Sequence, residues 1–344
     1  MRNILAQYGF DEKECMMRPF GNGLINRTWL LESGGKQFIL QEINHQIFSS
    51  PDSIAYNIRV ITDHLKAQYP DYLFVAPFPT IQGANMVQSG EAYFRIFPFL
   101  QGSHSIDVVE EPAQAYEAAR QFAAFTKRLS GLDPNRLKIT LPDFHNLTLR
   151  YQHFELALLH GDPSRIRHSK KWIDFIIEHK KILGEFEFSR PDLKIRCMHH
   201  DTKISNVLFD ENDKGLCVID LDTVMPGYFT SDVGDMMRTY LSPVTEEEAD
   251  LSKITIRKEF YQAIVEGYLE EMKDELRESE KEHFALAGKF MIYMQMVPFY
   301  DFPLFFCVCI RDGSSFGLTF AALCSCLLHC FCFARHGHLQ LPKR

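Results

Sequence analysis

The sequence has few features of a secreted, disulfide-bonded or nucleic-acid-binding protein. Only three of the nine cysteines precede residue 300, and Cys15, Cys197 and Cys217 lack the spacing of a disulfide framework or a zinc site. The net charge of −8 argues against a general nucleic-acid binder, which needs a basic surface. The first ten residues lack the apolar core of a signal peptide. We therefore expect a cytoplasmic protein with reduced thiols.

One stretch in the middle of the chain has the residue types that phosphoryl transfer requires. Asp201 is followed five positions later by Asn206, and a short hairpin then leads to Asp220. One carboxylate can accept the proton of an attacking hydroxyl, while an amide oxygen and a second carboxylate hold the metal that neutralises the phosphates. Asp and Asn at this spacing are common by themselves. The addition of His200, Lys203 and an apolar strand makes a chance match harder to obtain.

The spacing of Asn206 and Asp220 predicts that they share one Mg²⁺. Residues 206–209 and 216–219 have the pattern of two strands, and residues 210–215 have the composition of a turn. If the strands pair so that Val207 faces Ile219, Asn206 faces Asp220, and opposed Cβ atoms on antiparallel strands are about 4.5–5.5 Å apart. Mg²⁺ prefers oxygen ligands and retains several waters, so two such side chains suffice. The alternative is a polar loop followed by a surface hairpin.

These motifs resemble those of a known enzyme superfamily. Residues 200–206, His-Asp-Thr-Lys-Ile-Ser-Asn, resemble the catalytic loop of the aminoglycoside phosphotransferase and choline kinase superfamily, whose members are relatives of protein kinases. Residues 219–223 and 231–235 look most like the N-acetylhexosamine 1-kinase branch. The resemblance covers residues 15–296 in order, and it is more specific for the superfamily than for the substrate.

The resemblance implies an α+β, two-lobed, protein-kinase-like fold with a small N-terminal antiparallel-sheet lobe and a larger, mainly helical C-terminal lobe. The nucleotide-binding lobe would span residues 1–97, the hinge 98–102, and the catalytic and substrate lobe 103–296. The implied activity is ATP- and Mg²⁺-dependent phosphorylation of an N-acetylhexosamine (GlcNAc or GalNAc) at its anomeric hydroxyl. The alternatives are a kinase for choline, an aminoglycoside or another small hydroxylated acceptor, and an inactive nucleotide-binding relative.

Each residue of the catalytic stretch has a predicted role. Asp201 would be the base that accepts the hydroxyl proton, and Lys203 would neutralise the γ-phosphate. Asn206 and Asp220 would hold Mg²⁺. His200 would pack against the loop and orient it.

The predicted nucleotide-binding residues lie in the N-terminal lobe and the hinge. Gly21, Asn22 and Gly23 lie between two predicted strands, where a kinase lays backbone over the ATP phosphates, and glycine permits this approach because it has no side chain. Two glycines in a hairpin also suit an ordinary turn. Phe97 and Phe99 lie at the predicted hinge, where adenine would contact backbone and apolar neighbours. A plain linker would have a similar composition.

Two charged residues that a kinase usually carries are missing from the N-terminal lobe. Kinases place a Lys on the third strand, where it holds the α- and β-phosphates. This Lys is paired with a Glu on the next helix. In this sequence Leu40 is followed by Gln41, and the predicted helix over residues 51–68 contains no Glu. The phosphates would therefore depend on backbone N–H groups, Gln41 and Lys203.

Apolar periodicity predicts several helices around the site. The clearest cover residues 51–68, 112–130 and 284–296. Asp232 is predicted to brace the catalytic loop from the start of another helix. Ser231 and Asp232 would equally suit an ordinary helix cap.

The tail, residues 297–344, does not continue the resemblance. It contains six of the nine cysteines, and residues 313–334 contain no Asp, Glu, Lys or Arg. The spacing within Cys324–Cys332 matches no zinc module that we know, although thiolates do bind zinc. A membrane helix, which needs about 20 apolar residues, would here contain four cysteines and a histidine. Our preferred hypothesis is an altered reading frame, which peptide mapping or resequencing of the gene would test.

Overall fold

The computed structural model of the chain describes residues 2–21, 25–243, 253 and 255–297. Two predicted nucleotide-binding residues, Asn22 and Gly23, lie outside the described residues. The tail beyond residue 297 also lies outside them, and with it the zinc, membrane and reading-frame interpretations. No helix within the described ranges is long and apolar enough to cross a membrane.

The N-terminal lobe contains an antiparallel sheet, as predicted. Its strands are β1 Cys15–Pro19, β2 Arg27–Ser33, β3 Lys36–Ile43, β4 Val87–Ser89 and β5 Ala92–Pro98, in the order β1-β2-β3-β5-β4. Gly34 and Gly35 join β2 to β3 with φ angles of 57° and 71°. A two-residue hairpin turn of this type needs positive φ at both central positions, which glycine adopts without strain. This lobe also contains helices α1 Arg2–Gln7 and α2 Pro51–Gln68.

The two faces of this sheet contact different parts of the molecule. One face packs with α1 in a small apolar cluster that contains Ile4, Leu5, Leu31, Leu40, Phe94 and Ile96. On the other face, the strand register places Thr28, Gln41 and Arg95 in one row across β2, β3 and β5. Because side chains alternate along each strand, this polar row faces away from the α1 cluster.

The C-terminal lobe is mainly helical, with two short two-stranded sheets. The sheets pair β6 Arg196–Met198 with β9 Met225–Gly227, and β7 Val207–Phe209 with β8 Gly215–Val218. The helices are α3 Pro112–Arg128, α4 Leu147–His160, α5 Pro163–His168, α6 Lys170–Glu178, α7 Lys181–Ser189, α8 Phe229–Tyr240, α9 Lys258–Met272, α10 Glu278–Lys281 and α11 Phe284–Met296.

Helix α2 follows the N-terminal sheet in the chain but shares the large apolar core of the C-terminal lobe, through Ile54, Ile58, Ile61 and Leu65. Helices α2 and α11 have the predicted bounds, and α3 ends two residues before the predicted position. After β5, the chain reaches the catalytic hairpin directly, because His104 and Phe209 exchange backbone hydrogen bonds of 2.9 and 2.8 Å. The predicted α+β, two-lobed architecture is therefore confirmed.

Close contact between α9 and α3 gives a stability prediction. A methyl group on Gly267 of α9 would overlap the backbone oxygen of Tyr116 in α3. We expect Gly267→Ala to lower the free energy of unfolding by about 1–3 kcal/mol, because overpacking forces backbone shifts. Gly184→Ala in α7 is the control, since its methyl would meet nothing within 4 Å. Urea unfolding of the control should show no loss, or a gain of up to about 1 kcal/mol. Equal effects of the two changes would contradict this packing.

Candidate active site

The catalytic loop, residues 199–206, leaves β6 and is held by Asp232 of α8. One oxygen of Asp232 accepts the backbone N–H of His199 at 3.1 Å, and the other accepts that of His200 at 2.8 Å. Burial raises the pKa of Asp232 to about 7, while these two donors favour its charged form. Helix α8 begins at Phe229, so Asp232 lies inside the helix. The structure therefore agrees with the bracing role and not with the alternative of a helix cap.

A second set of contacts fixes the loop at Thr202. Its backbone N–H donates to Asp235 at 2.7 Å, and its carbonyl accepts the Tyr240 hydroxyl hydrogen at 2.5 Å. Arg238 donates two hydrogen bonds, of 3.0 and 2.7 Å, to the other oxygen of Asp235. Helix α8 therefore positions the loop through contacts to the loop's backbone. None of these contacts uses the side chain of Asp201.

His200 packs behind the loop as a neutral ring. Its φ of 69° is unusual for a residue with a side chain, and Gly227 leaves room for the ring because any Cβ there would overlap it. Its Nδ1 lies 3.3 Å from Nδ1 of His145, which in turn lies 2.9 Å from the Ser231 hydroxyl. Burial, with His199 nearby, lowers the pKa of His200 to about 4. Burial also lowers the pKa of His145, so both rings are uncharged at neutral pH.

The structure brings Asp201, Lys203 and Asn206 together. The Asn206 amide donates to the carbonyl of Asp201 at 2.9 Å and to its carboxylate Oδ2 at 3.1 Å. The Lys203 ammonium lies 3.5 Å from Oδ1 of the same carboxylate. The side chains of Asp201 and Lys203 are 20% and 43% exposed, so both are open to a ligand in the cleft. This geometry suits a carboxylate that must meet a hydroxyl group.

The predicted register of the hairpin is wrong by one residue. Val207 pairs with Val218, and the backbone N–H of Ile219 donates to Asn206 at 2.9 Å, so Ile219 and not Asp220 opposes Asn206. Strands paired about the six residues 210–215 oppose Asn206 to Ile219, and the bulge between Leu208 and Phe209 changes only the pair next to the turn, where Phe209 faces Gly215. Asp220 comes after the strand and has left-handed angles, with φ 59° and ψ 66°.

Asp220 and Asn206 nevertheless offer oxygen atoms suitable for Mg²⁺. The Asp220 side chain is exposed to solvent, yet desolvation by the protein around it and the charges of Asp222 and Asp201 raise its pKa to about 7. Because the Asn206 amide N–H₂ is used on Asp201, its amide oxygen points elsewhere and is available. Across the described part of the chain, no group of three His, Cys, Asp or Glu could hold a metal. One carboxylate and one amide fit Mg²⁺, which keeps waters and phosphate oxygens as ligands.

Asp222 has a different environment from Asp220. It is 2% exposed, and its carboxylate contacts Arg95 of β5 at 2.5 Å. Its other oxygen accepts a hydrogen bond of 2.9 Å from the Asn26 side chain. Sequence reasoning missed Arg95 and Asn26. The available signal was a single charged residue within the apolar strand Ala92–Pro98.

Gln41 contacts Arg95 instead of presenting a free amide. Its side-chain oxygen accepts hydrogen bonds of 3.0 and 2.5 Å from the Arg95 guanidinium, and its amide N–H₂ donates to Thr28 at 3.4 Å. The Arg95 guanidinium also lies 5.0 Å from the centre of the Phe97 ring. Among the other predicted nucleotide-binding residues, Gly21 has a φ of 77°, and Phe99 packs edge-on against Phe20 with ring centres 5.9 Å apart.

Comparison with known proteins agrees with this geometry. The phosphotransferase enzyme family (APH) matches residues 17–278. A microcompartment-associated aminopropanol kinase is 17% identical with a TM-score of 0.61, covering 98% of each chain. An ethanolamine kinase of Plasmodium vivax is 13% identical with a TM-score of 0.57, covering 95% of this chain and 85% of that one. A choline kinase from Cryptosporidium parvum Iowa II is 12% identical with a TM-score of 0.54, covering 96% and 93%.

At these identities the structural likeness shows a shared fold. The family match is the stronger finding, because it extends over most of the chain and includes the catalytic loop, the hairpin and α8. The chain therefore belongs to the phosphotransferase enzyme family, within the superfamily of small-molecule kinases that includes aminoglycoside phosphotransferases and choline kinases.

Proposed function

We propose that the chain is an ATP- and Mg²⁺-dependent kinase that phosphorylates an N-acetylhexosamine at its anomeric hydroxyl. The observation that carries the phosphoryl-transfer part is the grouping of Asp201, Lys203 and Asn206 in one braced loop that leads to Asp220. The choice of sugar rests on the similarity of residues 219–223 and 231–235 to N-acetylhexosamine 1-kinases.

Asp201 is the proposed base. Asn206 donates to one of its carboxylate oxygens, which fixes the carboxylate plane and leaves the second oxygen toward Lys203. The proton of the acceptor hydroxyl moves to this carboxylate as the oxygen attacks the γ-phosphorus, and the bond from that phosphorus to the β,γ-bridging oxygen breaks to release ADP. A general base of this kind contributes about 10²–10⁴-fold to the rate.

Three other side chains would manage the negative charge of the nucleotide. Lys203 is exposed enough to contact the γ-phosphate, and its ammonium offsets the charge on the transferring group. Asn206 and Asp220 would hold Mg²⁺, and the bound ion would supply the positive charge that neutralises the phosphate oxygens.

The nucleotide would lie between the two lobes. Backbone N–H groups of Gly21, Asn22 and Gly23 would contact the phosphates, and Phe97 and Phe99 would line the adenine site. Gln41 acts through Arg95 in this scheme, because its oxygen is occupied by the guanidinium. A spectinomycin phosphotransferase, 11% identical over 96% of each chain with a TM-score of 0.56, has been solved in complex with ADP and spectinomycin, which supports a nucleotide in a fold of this kind.

We propose the lobe boundaries and the cytoplasmic location that the sequence predicts. The nucleotide lobe is residues 1–97, the hinge 98–102 and the catalytic and substrate lobe 103–296. The described cysteines are free thiols, which supports a cytoplasmic protein.

Two guanidinium groups lie behind the catalytic loop. Arg150 and Arg238 both lie near enough to His145 to lower its pKa, after the larger effect of burial. His145 contacts His200, the residue before Asp201. Both guanidinium groups are buried, and Arg238 is paired with Asp235, so the choice of a neutral sugar rests on the sequence resemblance.

A panel assay tests the acceptor class. Nucleotide consumption should be measured with N-acetylhexosamines, choline, ethanolamine, 1-amino-2-propanol and an aminoglycoside at equal concentrations. We expect turnover with the N-acetylhexosamines and little with the cationic compounds. Turnover with a cationic compound alone would refute the sugar assignment but keep the kinase. Nucleotide binding without turnover on any acceptor would favour an inactive relative.

The role of Asp201 can be tested with Asp201→Asn, which keeps the size of the side chain but removes the proton acceptor. We expect the turnover number to fall by about 10²–10⁴-fold. Mg·ATP affinity, measured by calorimetry, should change little because Asn206 and Asp220 remain. A variant with near-normal turnover would refute the assignment of the base.

The metal assignment predicts an order of severity between two neighbouring carboxylates. Asp220→Ala should abolish Mg²⁺-dependent nucleotide binding, because it removes the exposed carboxylate that we propose as a metal ligand. Asp222→Ala should be milder, because Asp222 is occupied by Arg95 and Asn26. If calorimetry with Mg·ADP gives the reverse order, Asp222 is the ligand.

A further inference from the structure

A buried ion pair joins the two lobes beside the proposed metal site. Arg95 lies on β5 of the N-terminal sheet, and Asp222 lies in the short turn Leu221–Thr223 of the C-terminal lobe. Their charged atoms are 2.5 Å apart, and each side chain is 2% exposed. Neither charge has enough exposed surface to contact a nucleotide phosphate directly.

The other partners of this pair all come from the N-terminal lobe. Gln41 accepts two hydrogen bonds from Arg95. Asn26 donates to Asp222 at 2.9 Å, and its own oxygen accepts the backbone N–H of Asn44 at 3.0 Å. Asp222 is therefore the only C-terminal-lobe member of this set, which we call the interlobe clamp: Asn26, Gln41, Arg95 and Asp222.

Stability alone is a weak explanation for such a pair. Removing two charges from water is costly, and apolar replacements of a buried pair are often neutral or stabilising. The position of the pair suggests a functional reason. Asp222 follows the proposed metal ligand Asp220 by two residues, and Asp220 has left-handed backbone angles that its neighbours must maintain.

Gln41 explains why the cation comes from β5. It occupies the position on the third strand where kinases usually carry Lys, and the register places it directly beside Arg95. With an amide at that position, the nearest positive charge on the same row of the sheet is the guanidinium of Arg95. The row of Thr28, Gln41 and Arg95 therefore carries its positive charge on β5 and not on β3.

We propose that the interlobe clamp positions Asp220 for Mg²⁺. Arg95 fixes Asp222, and the short turn then sets the direction of the Asp220 carboxylate. Arg95 and Asp222 are positioning residues, since neither touches the nucleotide. This inference rests on the proposed function, in that it assumes a nucleotide-bound Mg²⁺ at Asn206 and Asp220.

The test measures how much Mg²⁺ improves ADP affinity in the full chain. Calorimetry gives the ADP dissociation constant with Mg²⁺ and with a chelator, and their ratio is the magnesium gain. Residues that orient metal ligands typically contribute 10–100-fold to metal affinity. We expect Asp222→Asn to reduce the magnesium gain by about 10–100-fold, with little change in the chelator measurement. An unchanged gain in this variant overturns the inference.

A second buried ion pair serves as the matched control. Arg196 contacts Glu280 at 2.7 Å, with 4% and 0% exposure, and both residues belong to the C-terminal lobe. Glu280→Gln should lower stability as Asp222→Asn does, because each leaves a buried Arg without its charged partner. Its magnesium gain should equal that of the unchanged chain. A similar loss of gain in Glu280→Gln would show that destabilisation is the cause and would overturn the inference.

A double variant covers the case in which Asp222→Asn does not fold. Arg95→Met with Asp222→Leu removes both charges, a change that buried pairs often tolerate. We expect a folded protein with the same reduced magnesium gain, and a normal gain would overturn the inference. If the unchanged chain shows no Mg²⁺-dependent nucleotide binding, the proposed function fails, and the inference fails with it. The first measurement therefore separates the two failures.

Discussion

The site depends on the two hydrogen bonds that Asp232 accepts from the catalytic loop. The N–H groups of His199 and His200 lie in a buried loop with no strand or helix partner, and an unpaired buried N–H is costly. Asp232 satisfies both with one carboxylate. It lies on α8, where Gly234 allows close contact with Ala287 of α11. Packing between two helices thus determines where Asp201 lies.

Negative charge is concentrated around this loop. After desolvation, the charges of Asp222 and Asp201 raise the pKa of Asp220. Arg95 and Lys203 reduce the repulsion only in part, since their effect on that pKa is smaller than the effect of the carboxylates. Such a site favours a bound cation, because a metal would relieve repulsion that the protein's own charges leave.

Local patterns predicted much of this structure, and pairings between distant segments did not follow from them. The apolar stripe of α2 and its proline at the first turn set both of its ends, since the signals lie within the helix itself. The hairpin register was predicted one residue out, because it depends on the number of residues between the strands, and the six residues 210–215 oppose Asn206 to Ile219. Arg95 was missed for a related reason. Alternation along a strand says which face a residue occupies, but only the strand order places it beside Gln41.

Helix α2 is held in place without the usual Lys–Glu pair. In kinases that pair ties the helix to the sheet and to the phosphates. Here Asn57 of α2 donates to the backbone oxygens of Lys138 and Val224, at 2.8 and 3.0 Å, and is fully buried. The helix is therefore fixed to the C-terminal lobe, next to the turn that carries Asp222. With the helix held by an uncharged amide, Arg95 pairs with Asp222 instead of with a helix Glu.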